Sequence, residues 1–212
     1  MTDVEIRDSF TALVDRLNGV RQRTAALAGN HQPLSFPDWH VLAEGVLLYA
    51  WTGWESFLRS LFIVDLATDP ASVLRKDVKV GGFRYAGSAE RIASMFVDHP
   101  DESRFVEWSS IDTVRDRASS MFPKGHRYGA VTGNRLAEVR RTKVVRNAVA
   151  HKSDKAWADF IDLVAKQPYS LASNQRKGLT VGRFLVAHQV SGQSVLEHYL
   201  INLKDAASDL VP

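Results

Sequence analysis

The most apolar stretch of the chain runs from Val41 to Leu66 and is written VLAEGVLLYAWTGWESFLRSLFIVDL. On a helix it is apolar around most of its circumference, and it is long enough to cross a bilayer. A membrane span would, however, have to bury its four charged residues, which are Glu44, Glu55, Arg59 and Asp65. We therefore predict that a long helix from about Asp38 to Leu66 forms the centre of a soluble helical bundle and does not enter a membrane.

Helical periodicity on both sides of this stretch predicts the other members of the bundle. A first helix should end near Gly29-Asn30, and a last helix carries an apolar stripe from Leu196 to Leu210. Further helices are predicted at Ser88–Val97, Ser109–Met121 and Asn134–His151, and after an N-cap at Ser153 or Asp154. The segment Gly178–Phe184 could form a short extended piece.

These patterns predict an all-α fold, namely an up-and-down helical bundle with short additional helices and a long irregular connection between residues 68 and 133. The chain has 212 residues and neither an internal repeat nor a low-complexity tract, so we expect a single domain over residues 1–212.

Composition limits the classes of function. The 27 Lys and Arg against 24 Asp and Glu give a net charge of only +3, so any anion-binding surface must be a local concentration of charge. The absence of cysteine excludes disulfides, thiol nucleophiles and thiolate metal sites, and together with an acidic N-terminus unlike a signal peptide it predicts a cytoplasmic protein. The histidines are scattered without the paired spacing of a metal site, so we expect no metal and no other cofactor.

A local concentration of positive charge does occur between residues 131 and 155. The cations of this basic strip are Arg135, Arg140, Arg141, Lys143, Arg146, Lys152 and Lys155, against only Glu138 and Asp154. Such a strip attracts phosphate groups.

A helix over residues 136–151 would separate two faces of this strip, at about 100° per residue. The apolar face is formed by Val144, Val145, Ala148 and Val149, and the opposite face by Lys143, Arg146, Asn147, Ala150 and His151, with Arg140 one to two turns earlier. A guanidinium can hold phosphodiester oxygens, and an imidazole can move protons near neutral pH. We therefore predict catalytic roles for Arg146 and His151, and RNA contacts for Arg140, Lys143 and Lys152.

The segment Arg146-Asn147-Ala148-Val149-Ala150-His151 resembles the R-x4-6-H motif of HEPN domains, in which a polar residue, often Asn, follows the arginine. The helix AWTGWESFLRSL, from Ala50 to Leu61, is similar to the aromatic and acidic helix of stand-alone HEPN families found in defence and toxin–antitoxin loci. In layout the resemblance covers roughly residues 38–208, but only these two segments match residue by residue.

The resemblance implies an endoribonuclease, of the defence or toxin kind, that cleaves RNA without a metal by attack of the 2′-hydroxyl on the adjacent phosphate. His151 would act as general acid or base and Arg146 would stabilise the charge of the transition state, with Asn147 in a supporting position. Apart from the resemblance, Glu55 lies in a mostly apolar helix and could orient the arginine or the histidine of the site. The resemblance also implies a homodimer through the motif helix, with one composite cleft, and restraint by an antitoxin or another regulatory protein.

Simpler interpretations accompany each of these assignments. Cations at the end of a helix complement its dipole, which would explain His151 and Lys152 without catalysis. Glu55 could form a helical ion pair with Arg59, four residues on. We expect the five tryptophans to serve in packing and not as platforms for RNA bases, and we expect the loop at residues 125–128 to be solvated. A non-catalytic HEPN module that binds a nucleotide, an RNA or a partner protein is the main alternative function, and a helical scaffold without an anionic ligand is the third.

Overall fold

The computed structural model describes residues 1–70, 72, 93–94, 97, 108–122 and 124–212. Its helices are α1 (Asp3–Ala26), α2 (Phe36–Thr68), α3 (Ile111–Met121), a 3-10 turn (Arg127–Gly129), α4 (Gly133–His151), α5 (Asp154–Ala165), α6 (Ser173–Arg176), α7 (Val181–Ala187) and α8 (Val195–Leu210). Two short strands, β1 (Gln189–Val190) and β2 (Gln193–Ser194), pair in an antiparallel hairpin. The predicted all-α bundle is confirmed.

Helix α2 is the central element of the bundle, as its apolar sequence predicts. It starts at a capping box in which Ser35 and Asp38 satisfy each other's backbone amides, with Pro37 in the first turn. Its buried side chains include Trp51 and Trp54, both fully enclosed. Helices α1, α4, α7 and α8 all pack against it, and a stripe that includes Val41, Gly45 and Tyr49 remains exposed to solvent.

Helix α1 lies unusually close to α2 where Gly53 replaces a side chain. A Cβ atom built on Gly53 would stand 2.5 Å from Cδ2 of Leu13. Beside this contact the rings of Phe10, Trp54 and Phe57 pack with centroids 5.3 to 5.8 Å apart. The glycine therefore allows an aromatic cluster to close between the two helices.

Helix α4 runs antiparallel to α2. Just before α4 begins, the hydroxyl of Tyr128 donates to Asp65 near the end of α2 at 2.9 Å. Near the end of α4, Arg146 reaches Glu55, ten residues earlier on α2. On its other side α4 is tied to α8, where Arg135 donates to Asp205 at 2.6 Å.

Helix α7 and the hairpin that follows it differ from the sequence prediction. The segment Gly178–Phe184, expected to be extended, instead contains Thr180 as an N-cap and the first residues of α7. A seven-residue helix is too short to show a clear period, so its packing against α2 decides its conformation. The hairpin turns at Ser191 and Gly192, whose φ angles of 52° and 82° suit a two-residue turn.

The loop at residues 125–128 is predicted to be solvated, and for its last residue, Tyr128, this is wrong. Tyr128 is fully buried, where its ring packs against Phe62 and Phe122. Burial raises the pKa of its hydroxyl well above the usual value, so the group stays protonated and can donate to Asp65. Arg127 pairs with Asp3 and Asp65, which fixes the loop to the ends of α1 and α2.

Other predictions are met in part. Helix α3 matches the predicted helix Ser109–Met121 closely. The predicted helix Ser88–Val97 and the irregular connection lie mostly outside the described residues, although Ala93, Ser94 and Val97 are helical. Four tryptophans are buried as expected, whereas Trp157 is 41% exposed. Among the described helices, none combines the length and the apolar character that crossing a membrane requires.

The contact between α7 and α2 yields a test of the fold. A Cβ atom on Gly182 would stand 2.4 Å from the carbonyl oxygen of His40, which is backbone and cannot simply rotate away. We expect Gly182→Ala to lower the free energy of unfolding by about 1 to 3 kcal/mol through overpacking. Urea denaturation followed by circular dichroism measures the change.

A matched control lies on α2 itself. Gly45 is a mid-helix glycine with no atom within 4 Å of an added Cβ, so Gly45→Ala should stabilise the protein by up to about 1 kcal/mol. If both substitutions shifted stability in the same direction, the described packing of α7 on α2 would be wrong.

Candidate functional site

The motif segment forms the last turns of α4. Val145, Ala148 and Val149 are buried, whereas Ala150 and His151 are exposed. The predicted division into two faces therefore holds at these positions. Val144 departs from it, because it is only half-buried while Thr142 and Glu138 turn inward.

Helix α4 ends abruptly after His151. Lys152 adopts a left-handed conformation, with φ of 45° and ψ of 28°, a geometry that helix ends usually give to glycine or asparagine. Ser153 then caps α5 by accepting a hydrogen bond from the amide of Ala156 at 3.2 Å. The chain thus turns a sharp corner directly beside the predicted catalytic histidine.

The guanidinium of Arg146 is held from α2. Its Nη2 lies 3.4 Å from Oε1 of Glu55, and both side chains are largely enclosed, at 20% and 25% exposure. The same Oε1 accepts a hydrogen bond from the indole nitrogen of Trp51 at 2.9 Å. Because Trp51 is fully buried, it fixes the carboxylate, and the carboxylate in turn positions the guanidinium.

The other side of the guanidinium faces the rest of the motif. Nη1 of Arg146 donates to Oδ1 of Asn147 at 3.1 Å and lies 3.5 Å from Nε2 of His151. A guanidinium can only donate, so Nε2 can accept in this contact only in a tautomer that leaves it unprotonated. The structure therefore brings together all four residues assigned from the sequence as catalytic or supporting, which are Glu55, Arg146, Asn147 and His151.

The simpler interpretation of Glu55 does not account for this geometry. Arg59, its expected helical partner, donates to Oγ of Ser94 at 3.2 Å. Sequence analysis missed the role of Trp51, although its spacing of four residues before Glu55 places both side chains on one helical face. That spacing was the signal that could have revealed the pair.

The basic strip is less free than its sequence suggests. Arg140 makes a bidentate contact with Asp112 on α3, at 2.9 and 2.6 Å. This hydrogen bonding lowers the pKa of the Asp112 carboxyl, which therefore stays charged and would compete with a phosphate for Arg140. Arg135 pairs with Asp205, and Arg141 pairs with Glu138.

The remaining cations of the strip lie near its C-terminal end, beside the motif. Lys152 is exposed at the corner, and Lys143 is half-buried one turn before Arg146, where its charge also helps to lower the pKa of Asp112. Lys155 forms a solvent-exposed pair with Asp159 at 3.0 Å. Lys152 is thus an exposed cation of the strip close to Arg146 and His151. Among the residues that the structure describes, no group of three or more His, Asp or Glu side chains could hold a metal ion.

Comparison of the chain with protein-family models, with curated proteins and with solved structures returned no significant match. The assignment of a function therefore depends on the residues and geometry of the site.

The chain of contacts through Glu55 can be tested without any assay of function. Glu55→Gln keeps the shape of the side chain and removes the charge that attracts Arg146. We expect a loss of about 1 kcal/mol in the free energy of unfolding and faster rotation of the Arg146 guanidinium, visible as averaged side-chain nitrogen signals in NMR spectra.

Asp112→Asn supplies the control, because it weakens an ion pair of α4 that is much more exposed, at 55% and 43% for its two side chains. Its effect on stability should be smaller, and the Arg146 signals should not change. Sharp, unaltered Arg146 signals in Glu55→Gln would show that the carboxylate does not hold the guanidinium.

Proposed function

We propose that this chain is a metal-independent endoribonuclease of the HEPN type, with Arg146 and His151 as its catalytic residues. The observation that carries the proposal is the contact of Nη1 of Arg146 with Nε2 of His151 at 3.5 Å, while Glu55 holds the guanidinium from behind. If Arg146 served only to stabilise the fold through Glu55, the exposed imidazole of His151 would not be needed beside it. The motif and its resemblance to HEPN domains supply the reaction.

In that reaction the 2′-hydroxyl of a ribose attacks the neighbouring phosphorus. The bond from O2′ to phosphorus forms, the bond from phosphorus to O5′ breaks, and the products carry a 2′,3′-cyclic phosphate and a 5′-hydroxyl. His151 acts as general base on the 2′-hydroxyl or as general acid on the leaving oxygen, and Nε2 is the nitrogen that faces the site. Arg146 stabilises the charge that builds on the phosphorus oxygens.

The residues around this pair have supporting roles. Asn147 shares Nη1 of Arg146 and limits its rotation, and Glu55 offsets the charge of the guanidinium when no RNA is bound. Lys143 and Lys152 attract the RNA backbone. Arg140 can contribute only where a phosphate displaces Asp112.

We also propose that the protein acts as a homodimer in which two motif helices face each other. Ala150 and His151 are exposed, and the methyl side chain of Ala150 permits close approach of a second helix. Within the described residues, one chain supplies a single imidazole to this pair. Two imidazoles serve the reaction better, because one proton leaves the RNA and another must be given to it. An antitoxin or another regulatory protein that covers this face would keep the enzyme inactive.

The decisive experiment is cleavage of RNA in excess chelator. We expect the wild-type protein to cut single-stranded RNA in EDTA and to leave 2′,3′-cyclic phosphate ends, identified by mass spectrometry. His151→Ala and Arg146→Ala should each lower the rate by roughly 100-fold or more, because each removes a group that acts in the transition state.

His31→Asn is the matched control, since it removes an imidazole outside the site and asparagine tolerates the φ of 63° at that position. RNA binding without cleavage would favour a non-catalytic HEPN module, and absence of both would favour a helical scaffold. Activity that survives in His151→Ala would overturn the proposed mechanism.

The dimer is tested by enlarging the exposed alanine of the motif. Ala150→Glu should preserve the fold, because the position is solvent-exposed on a helix, but should block the approach of a second motif helix. We expect a dimer for the wild type and a monomer for the variant in sedimentation at micromolar concentration, with RNA cleavage lost in parallel.

Ala12→Glu, at an exposed position on α1, is the corresponding control and should remain a dimer. A wild-type protein that sediments as an active monomer would contradict the composite site.

A further inference from the structure

A second group of nitrogen-bearing side chains lies where α7 packs against α2. Arg183 is exposed on α7, and half-buried His40 on α2 and His188 just after α7 accompany it. Burial, reinforced by the positive charge of Arg183, lowers the pKa of both imidazoles, although the charge of Glu44 partly offsets this at His40. Within the part of the chain that the structure describes, none of these three side chains forms a hydrogen bond or an ion pair.

The backbone beneath this group is firmly placed. The amide of Gly182 donates to Oε1 of Glu44 at 2.8 Å, and Gly182 lies directly against the carbonyl of His40. Phe184 and Leu185 anchor α7 from the other side, since both are fully buried. Arg183 therefore projects from a fixed element, and one oxygen of Glu44, whose charge acts on His40, is already engaged by a backbone amide.

One face of α2 carries both Glu44, which contacts α7 beside this group, and Glu55, which contacts Arg146. Glu44 and Glu55 are eleven residues apart, which places them within about 20° on the helix and about 16 Å apart along its axis. Because α4 runs antiparallel to α2, His151 lies about 7.5 Å beyond Arg146 in the direction of Glu44, and α4 and α7 touch.

We propose that Arg183, together with His40 and His188, forms a second phosphate-binding point, which holds the backbone of an RNA strand whose scissile bond lies at Arg146 and His151. This inference rests on the proposed ribonuclease function. An exposed guanidinium offers several donors to one phosphate, and among the described residues no carboxylate forms an ion pair with Arg183. The remaining distance of roughly 9 Å along α2 suits a strand that extends beyond the cleavage point.

The test measures binding alone and uses the His151→Ala protein as parent, so that RNA is not cleaved. The affinity for a single-stranded RNA of about twelve nucleotides is measured by fluorescence anisotropy over a series of salt concentrations. Loss of one phosphate contact should make the slope of log affinity against log salt concentration shallower by about 0.7. We expect this change, with weaker binding to RNAs of any sequence, for Arg183→Ala in the parent.

Lys204→Ala is the matched control, because it removes one cation from the face formed by α1 and α8, where Lys204 pairs with Asp15 at 2.7 Å. Its slope should equal that of the parent. In NMR spectra of the parent, the same RNA should shift the imidazole signals of His40 and His188, and Arg183→Ala should reduce these shifts.

An unchanged slope and affinity in Arg183→Ala would overturn this inference, and so would a parent that binds no RNA. Neither result depends on whether the wild type cleaves RNA. A protein that cleaves RNA but does not need Arg183 would thus refute the second phosphate point alone, whereas Arg183-dependent binding without cleavage would refute only the proposed catalysis.

Discussion

A carboxylate on a helix that other helices surround must find its hydrogen-bond donors inside the protein, because water cannot reach all of it. Helix α2 carries three such carboxylates at intervals of ten or eleven residues, and each is satisfied by a different segment. Glu44 accepts from the amide of Gly182 on α7, Glu55 from Trp51 and Arg146, and Asp65 from Tyr128 and Arg127. Three of the four charged residues that argue against a membrane span are thus points at which other segments contact α2.

This requirement also shapes the candidate site. An arginine that must serve a phosphate has to be held in one place without being neutralised completely. The contact of 3.4 Å between Arg146 and Glu55 is longer than a strong ion pair, while the shorter bond of 2.9 Å from Trp51 fixes the carboxylate itself. Arg140 shows the opposite case, since its Nε and Nη2 both donate short hydrogen bonds to the carboxylate of Asp112. Two arginines of one helix thus differ in how completely the opposite carboxylates occupy them.

Features that depend on residues close in the sequence could be predicted, whereas features that depend on tertiary contacts could not. The extent of α2, the exposed end of α4 and the cap at Ser153 depend on neighbours within a few residues, and sequence patterns indicate them well. The sequence suggests that Glu55 could orient the arginine or the histidine of the site but cannot establish its contact with Arg146, since 91 residues separate the two. The pairing of Arg140 with Asp112, the burial of Tyr128 and the helical conformation of residues 181–187 depend on tertiary packing, which the local pattern does not encode.

The corner at Lys152 determines how the site would respond to mild denaturation. A left-handed residue without glycine is a local conformational cost, and helix ends open more readily than helix centres. Fraying of α4 from this end would carry His151 away while Arg146, one and a half turns deeper and bound to α2, kept its position. The imidazole would then be the first part of the pair to become disordered on warming and the last to settle on refolding.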